Sequence, residues 1–321
     1  MKKSIKLFVA LLVFSIFALG SATSGKTKDV IKDNNSTSGN TSAVTDEKEN
    51  GSNDDWSDDW SDNSDDSDDN SGFGKVTIDE QELFSQSGVT LTATEYTSDS
   101  WSEGIKILVN NESDKDITVS CYTAVVNDYM TDASFYSNVS AGKKSKETLT
   151  FYSDTLKRSG IDTIGKMELY FEVYDTDSYD TIYKSDAIVI ETSAADDIKV
   201  NKLDNGVEIY NKNGIKIVGK ELTSDEYGYN QYFMVFIENN SDKDVMISSD
   251  DVSVNGYMVS GMLYADVLSG KMSVEAMSFY NDELADNDIE KIEEIEMKLS
   301  IWDDNNYDTI DETESIVITF K

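Results

Sequence analysis

The sequence predicts an all-β fold, two tandem immunoglobulin-like antiparallel β-sandwiches, each with one short helix, after a disordered acidic linker. Three observations predict it. Apolar and polar residues alternate in short stretches, the period of a half-buried strand. The C-terminal three quarters of the 321-residue chain is an internal duplication. Turn residues fall between the alternating stretches where hairpins need them.

The duplication sets the domain organisation. Ser87-Gly88-Val89-Thr90-Leu91 matches Asn213-Gly214-Ile215-Lys216-Ile217 at an offset of 126, which becomes 128 after a two-residue difference near Asp99 to Gly104. Ser113-Asp114-Lys115-Asp116 recurs as Ser241-Asp242-Lys243-Asp244, and Asp180-Thr181-Ile182 as Asp308-Thr309-Ile310. About 30 of the 80 positions from 113 to 192 are identical to their mates, far above chance for an ungapped register. We read residues 1–22 as a signal peptide, 23–74 as linker, 75–193 as the first repeat and 194–321 as the second.

In order along the first repeat, the inward-facing sets are Ile105, Ile107 and Val109; Ile117, Val119 and Cys121; Leu149 and Phe151; Leu169, Phe171 and Val173; Ile188 and Ile190. The second repeat follows with Phe233, Val235 and Ile237; Val245 and Ile247; Met277 and Phe279; Met297, Leu299 and Ile301; Ile316 and Ile318. About seven strands per repeat is the count of an immunoglobulin-like sandwich. Asn255-Gly256 is a type I′ hairpin signal, since both residues tolerate positive φ, and Asn127-Asp128 holds the same place in the first repeat. Ser153-Asp154-Thr155-Leu156 and Asn281-Asp282-Glu283-Leu284 read as N-caps of one short helix per repeat.

The strings Asn-Asn-x-Ser-Asp-Lys-Asp, Val-Asn-Gly-Tyr-Met, Ser-Gly-Lys and Asp-x-x-x-Tyr-Asp-Thr-Ile carry a resemblance over about residues 85 to 321. They resemble the uncharacterised Ig-like repeats of secreted proteins and lipoproteins in Gram-positive gut anaerobes. The resemblance implies a small extracytoplasmic β-sandwich and supplies no catalytic residues. Many members have a lipobox, and in this chain no cysteine directly follows the apolar leader.

Location is read from the N-terminus. Lys2, Lys3 and Lys6 precede an apolar run from Leu7 to Gly20, and Ala18 and Gly20 suit a signal peptidase, so residues 1–22 read as a leader. The run is short for a permanent anchor, which needs about 20 apolar residues. The expected location is extracellular, secreted or loosely surface-associated, with no membrane insertion of the mature chain. Residues 23–74 are poor in aliphatics and cannot bury enough apolar area to offset chain entropy, so disorder is expected there. An EF-hand is not spelled out in this acidic tract, because Ser71 stands where the loop after Asp66, Asp68 and Asn70 needs Gly.

Composition excludes several functions. The net charge of −36 and a single arginine, Arg158, leave no basic face for nucleic acid. There is no histidine, no proline and one cysteine, Cys121, which removes the imidazole base, His metal sites and an intrachain disulfide. Cys121 reads as a small buried side chain without electropositive neighbours to activate it. No catalytic set is assigned, and the chain reads as a non-enzyme.

The candidate ligand-binding loops are Asp175-Thr176-Asp177-Ser178-Tyr179-Asp180 and its mate Asp303-Asp304-Asn305-Asn306-Tyr307-Asp308. In the first, Asp175, Asp177, Tyr179 and Asp180 are the residues of interest, and in the second Asp303, Asn305, Tyr307 and Asp308. Their oxygens offer calcium ligands, and Tyr179 and Tyr307, with Tyr174 and Trp302 nearby, offer stacking faces for a sugar. The competing structural reading is a hairpin loop that bonds its own backbone while the Tyr closes the end of the core. Function is thus expected to be a non-catalytic binding or adhesion module with a glycan or protein ligand at the cell surface. The alternative is a calcium-dependent structural spacer, calcium being the one cofactor the loops suit.

Overall fold

The computed structural model describes residues 73–225 and 227–320. The segments read from sequence as a signal peptide and, up to residue 72, as the linker lie outside the described residues. Each repeat folds as an antiparallel β-sandwich, and the alternating apolar sets supply the cores. All of them are buried apart from Cys121, Ile188 and Ile316, which are half-buried.

The first sandwich comprises β1 (Gln81–Gln86), β2 (Val89–Ser98), β3 (Ser102–Asn111), β4 (Ile117–Val126), β5 (Tyr129–Met130), β6 (Ala133–Ser134), β7 (Tyr136–Val139), β8 (Lys144–Tyr152), α1 (Ser153–Arg158), β9 (Lys166–Asp175), β10 (Thr181–Lys184) and β11 (Ile188–Glu191). One sheet runs β1-β2-β3-β8-β6, and the facing sheet is built on β4 and β9, with β7, β10 and β11 paired to them. With β2, β3, β8 and β6 in the places of strands A, B, E and D, and β4, β9 and β10/β11 in those of C, F and G, the order is that of an immunoglobulin-like sandwich.

The second sandwich repeats this with β12 (Val207–Lys212), β13 (Ile215–Ser224), β14 (Asn230–Asn239), β15 (Val245–Val254), β16 (Tyr257–Met258), β17 (Tyr264–Val267), β18 (Met272–Tyr280), α2 (Asn281–Asp286), β19 (Glu294–Asp303), β20 (Thr309–Glu312) and β21 (Ile316–Thr319). Its β12-β13-β14-β18 sheet faces one built on β15 and β19.

Three local features differ from expectation. An additional edge strand, β1 or β12, hairpins onto β2 or β13 through Ser87-Gly88 or Asn213-Gly214, all four residues at positive φ. These strands are mostly polar, with Phe84 or Tyr210 as the buried anchor, so their alternation is weak. The helices start at Ser153 and Asn281 themselves, after Tyr152 and Tyr280, without a side-chain cap. Their first N–H groups donate instead to the carbonyls of Trp101 and Tyr229, each at 3.0 Å. Phe73, placed in the linker by composition, is buried in the core of the first sandwich.

The two sandwiches are fused through a tip and a face. The Asn127-Asp128 turn takes positive φ at both residues, as a type I′ hairpin requires, and presents Tyr129. Tyr129 packs edge-on against Phe236 of β14, ring centroids 6.4 Å apart. Val218, Phe236, Met272 and Val274 lie on the outer face of the β13-β14-β18 sheet, yet they are buried with the core of the first sandwich. The Met272 N–H donates to the Asp128 carbonyl at 3.0 Å, and a parallel β5-β18 pairing makes the sheets continuous. Lys271 donates to Glu168 at 2.7 Å and to Asp128 at 3.0 Å. The connector closes the joint: the Tyr129 hydroxyl donates to the Asn201 carbonyl at 2.6 Å and accepts from the Leu203 N–H at 3.2 Å.

The repeated Asn-Asn-x-Ser-Asp-Lys-Asp string has a structural use. Asn111 is fully buried, and its Nδ2 donates to the carbonyls of Lys115 and Val139, both at 2.8 Å. Its Oδ1 accepts from the N–H and hydroxyl of Ser113 at 3.0 and 2.6 Å. Asn239 makes the same four bonds, to Lys243, Val267 and Ser241. Asp116 and Asp244 tie in the neighbouring turn by accepting from the N–H groups of Ala141 and Ser269 at 2.8 Å. Removing the amide takes the Nδ2 donor from the buried Val139 or Val267 carbonyl and leaves the Lys115 or Lys243 carbonyl only its Ser113 or Ser241 hydroxyl bond, a cost of about 1–3 kcal/mol. Asn111→Ala and Asn239→Ala are each expected to lower unfolding free energy by at least that amount in urea titrations, and an unchanged midpoint would contradict the assignment.

Candidate functional site

The β9–β10 and β19–β20 loops project from corresponding ends of the two sandwiches, anchored by their first aspartate. Asp175 Oδ1 accepts from the N–H groups of Asp177 and Ser178 at 3.0 and 3.1 Å, and its other oxygen pairs with Lys115 at 2.8 Å. Asp303 Oδ1 accepts from the Asn305 N–H at 3.0 Å, and its other oxygen pairs with Lys243 at 2.8 Å. Loop ends are closed by Asp175 N–H to the Asp180 carbonyl and Asp303 N–H to the Asp308 carbonyl, at 3.0 and 2.9 Å.

These bonds fix the chemistry of the acidic residues. Asp180 accepts from the Ser178 hydroxyl at 2.9 Å, and the Asp308 N–H donates to Asn306 at 2.9 Å. The Lys115 hydrogen bond, then the backbone donors, hold the Asp175 carboxyl down to about 2. Lys243 and the Asn305 N–H likewise hold Asp303 below the usual carboxylate range. Both are therefore ionised and already ligated by the protein. Among the described residues no three His, Cys, Asp or Glu side chains converge as a metal cage.

The aromatic half of the loops behaves differently from the structural expectation. Tyr179 and Tyr307 do not close the core; they are 76% and 65% exposed. Both sit at positive φ, 61° and 62°, held by their N–H donating to the Asp175 and Asp303 carbonyls at 2.9 and 2.8 Å. That conformation is uncommon for a bulky side chain.

Tyr179 is part of a platform. Its ring stacks on Tyr174, centroids 6.2 Å apart and planes 24° apart. Tyr174 is hydrogen-bonded to Tyr136 of β7, which is 58% exposed. This bond holds the Tyr136 phenol below its ordinary range, while burial and the same bond push Tyr174 up to about 12. Thr118 ties the base together by donating to Asn138 at 2.6 Å and bonding the Thr176 hydroxyl at 2.9 Å. Strand register puts Thr118 opposite both Tyr174 and Asn138, on the outer face of the β7-β4-β9 sheet.

The second sandwich places Tyr264, Trp302 and Tyr307 at the same positions. There the polar residues are Asp266 and Asp304 where the first has Asn138 and Thr176. Tyr264 donates to Asp266 at 3.2 Å, and burial raises the pKa of both aspartates. Sequence reasoning placed Tyr174, Tyr179, Trp302 and Tyr307 here and missed Tyr136 and Tyr264, which lie about forty residues earlier. Their outward parity on a strand next to β4 or β15 is the signal that finds them. It also missed a second set of exposed aromatics at the β2–β3 and β13–β14 turns: Trp101, and the stacked pair Tyr227 and Tyr229 at 6.2 Å.

Cys121 is half-buried at a bulge in β4, its thiol donating to the Thr123 carbonyl at 3.3 Å. Burial pushes it up to about 11, so it is a protonated thiol at neutral pH.

No protein-family model matches the sequence, and no curated protein does. Solved structures with which it shares a likeness include a protein of unknown function from Porphyromonas gingivalis W83, 9% identical over 68% of this chain and 91% of that one, TM-score 0.20. The Salmonella enterica SafA pilin in complex with the SafB chaperone is 12% identical over 68% and 89%, TM-score 0.18. Red sea bream transglutaminase is 10% identical over 76% and 31%, TM-score 0.19. Likenesses of this order carry no functional argument.

The depressed carboxyls link stability to pH. A carboxyl with a lower pKa folded than unfolded stabilises above the ordinary range near about 4, and the contribution fades as pH falls toward the folded value. Lys115→Met is expected to lower the melting temperature at neutral pH, with the gap to the native chain closing between about pH 4 and pH 2. A gap that stays constant across that window would contradict the pairing.

Proposed function

We propose that the protein is a secreted or surface-displayed, non-catalytic binding module of the Ig-like repeat type, whose aromatic platforms contact glycan or peptide ligands. One observation carries the reading: in both sandwiches an exposed tyrosine is held at positive φ, where Gly or Asn fits at less cost, on a loop rigidified by Asp175 or Asp303. A backbone outlier of this kind costs on the order of 1 kcal/mol and is maintained only by its surroundings. Rigid, exposed aromatic rings flanked by hydroxyls and amides suit the apolar face of a sugar or a peptide side chain. The absence of histidine and the protonated, half-buried thiol of Cys121 support a role without covalent chemistry.

Glycine substitution separates function from stability at these positions. Tyr179→Gly and Tyr307→Gly relieve positive φ, so melting temperature is expected to hold or rise. Retention on mucin and cell-wall glycans and peptides is expected to fall about fivefold or more per ring, from about 1 kcal/mol of lost stacking. Retention by neither the native chain nor the variants in glycan arrays and pulldowns contradicts the reading. The calcium-spacer alternative instead requires a higher melting temperature in millimolar calcium than in EDTA, since a native-state ligand raises apparent stability. The platform reading predicts equal values.

A further inference from the structure

The joint between the sandwiches uses one tip and one face, and the duplication has made two of each. The tip in use is Asp128 to Met130 with Glu168 beside it; the face in use is the outer surface of β13-β14-β18, with Lys271 at its turn. The tip left over is Gly256 to Met258 with Glu296 beside it, where Tyr257 and Met258 are 52% and 65% exposed. Left over on the other side is the outer face of β2-β3-β8 in the first sandwich, with Lys143 at its turn.

The Lys271–Glu168 pair of the joint survives at both free ends, while Asp128, the second partner of Lys271, is replaced by Gly256. Lys271 and Glu168 have identical counterparts in Lys143 and Glu296, and Tyr129 and Met130 in Tyr257 and Met258. Where the free surfaces differ from the joint, they differ in complementary ways. On the face, Met272 and Val274 are replaced by Lys144 and Lys146, both exposed, and Phe236 by Leu108, half-buried. On the tip, Gly165 and Lys166 are replaced by Glu293 and Glu294. In a chain of net charge −36, three lysines within four residues, Lys143, Lys144 and Lys146, thus stand on the free face and three glutamates, Glu293, Glu294 and Glu296, at the free tip, with Lys143 and Glu296 at the positions that pair as Lys271 and Glu168 in the joint.

We propose that the chain associates head to tail with a second copy, the Tyr257-Met258 tip of one seated on the β2-β3-β8 face of the next. The contact continues the internal joint and exchanges part of its apolar area for charge, so it is weaker and more salt-sensitive than the joint. It is heterologous, and repeats as an open chain or ring rather than closing as a two-fold dimer.

Sedimentation velocity of the full chain over a concentration series tests this. In about 0.1 M salt, where a Debye length near 10 Å screens the overall negative charge, mass is expected to rise with concentration beyond dimer; in about 1 M salt it returns to monomer. Two charge-swapped variants, one carrying Lys143→Glu, Lys144→Glu and Lys146→Glu, the other Glu293→Lys, Glu294→Lys and Glu296→Lys, are each expected to stay monomeric alone. Mixed, they are expected to assemble again, since each supplies the partner the other lacks. Tyr257→Ala is expected to weaken native assembly, with circular dichroism unchanged for every variant. Monomer at all concentrations of the native chain, association that survives either swap, or failure of the mixture to assemble would overturn the proposal.

Discussion

The seating of Tyr129 against Phe236 is the contact on which the arrangement of the described residues depends. A sandwich has two outer faces normally given to water, and four apolar residues on one of them would be a liability if the second sandwich stood alone. Covering Val218, Phe236, Met272 and Val274 with the Tyr129 tip converts that liability into a second layer of core, and the residues are buried accordingly. The connector strengthens the result, because Asn201 and Leu203 occupy both hydrogen-bonding functions of the Tyr129 hydroxyl. A buried Tyr with its hydroxyl satisfied avoids the penalty of an unpaired polar group.

Polar residues that look functional by motif serve this framework. Asn111 and Asn239 hold turns, Asn127 and Asn255 donate to the Thr163 and Lys291 carbonyls at 2.8 Å, and Asp175 and Asp303 fix their loops. Repetition of these residues between the two halves therefore reports the same set of backbone groups to be satisfied twice. Among the residues left exposed after that are aromatic rings: Tyr136 and Tyr179, with Tyr264 and Tyr307 in the other half. Rigidity from the polar bonds and exposure of the rings are separate properties of one loop, which is why a glycine there is informative.

The strand cores were legible because period-2 alternation and burial have the same cause. Ile105, Ile107 and Val109 read as inward from alternation alone and are fully buried. The hairpins at Asn127 and Asn255 were legible through their tolerance of positive φ. Edge strands β1 and β12 were not, because an edge buries one anchor and leaves the rest to solvent. Half of the platform was also hidden, since Tyr136 meets Tyr174 only through pairing of β7 and β9 to β4, a relation of topology. The joint escaped for the same reason: Phe236 and Met272 break alternation on what should be a wet face, a signal that acquires meaning only with a partner surface.

If the Tyr129 joint makes the sandwiches one structure, they must unfold together. Differential scanning calorimetry of the full chain is the direct measurement, because it compares the heat absorbed with the heat implied by the steepness of the transition. One transition in which the two enthalpies agree is expected, with separation into two transitions when Tyr129 is replaced by Ala. Two resolved transitions in the native chain would contradict it.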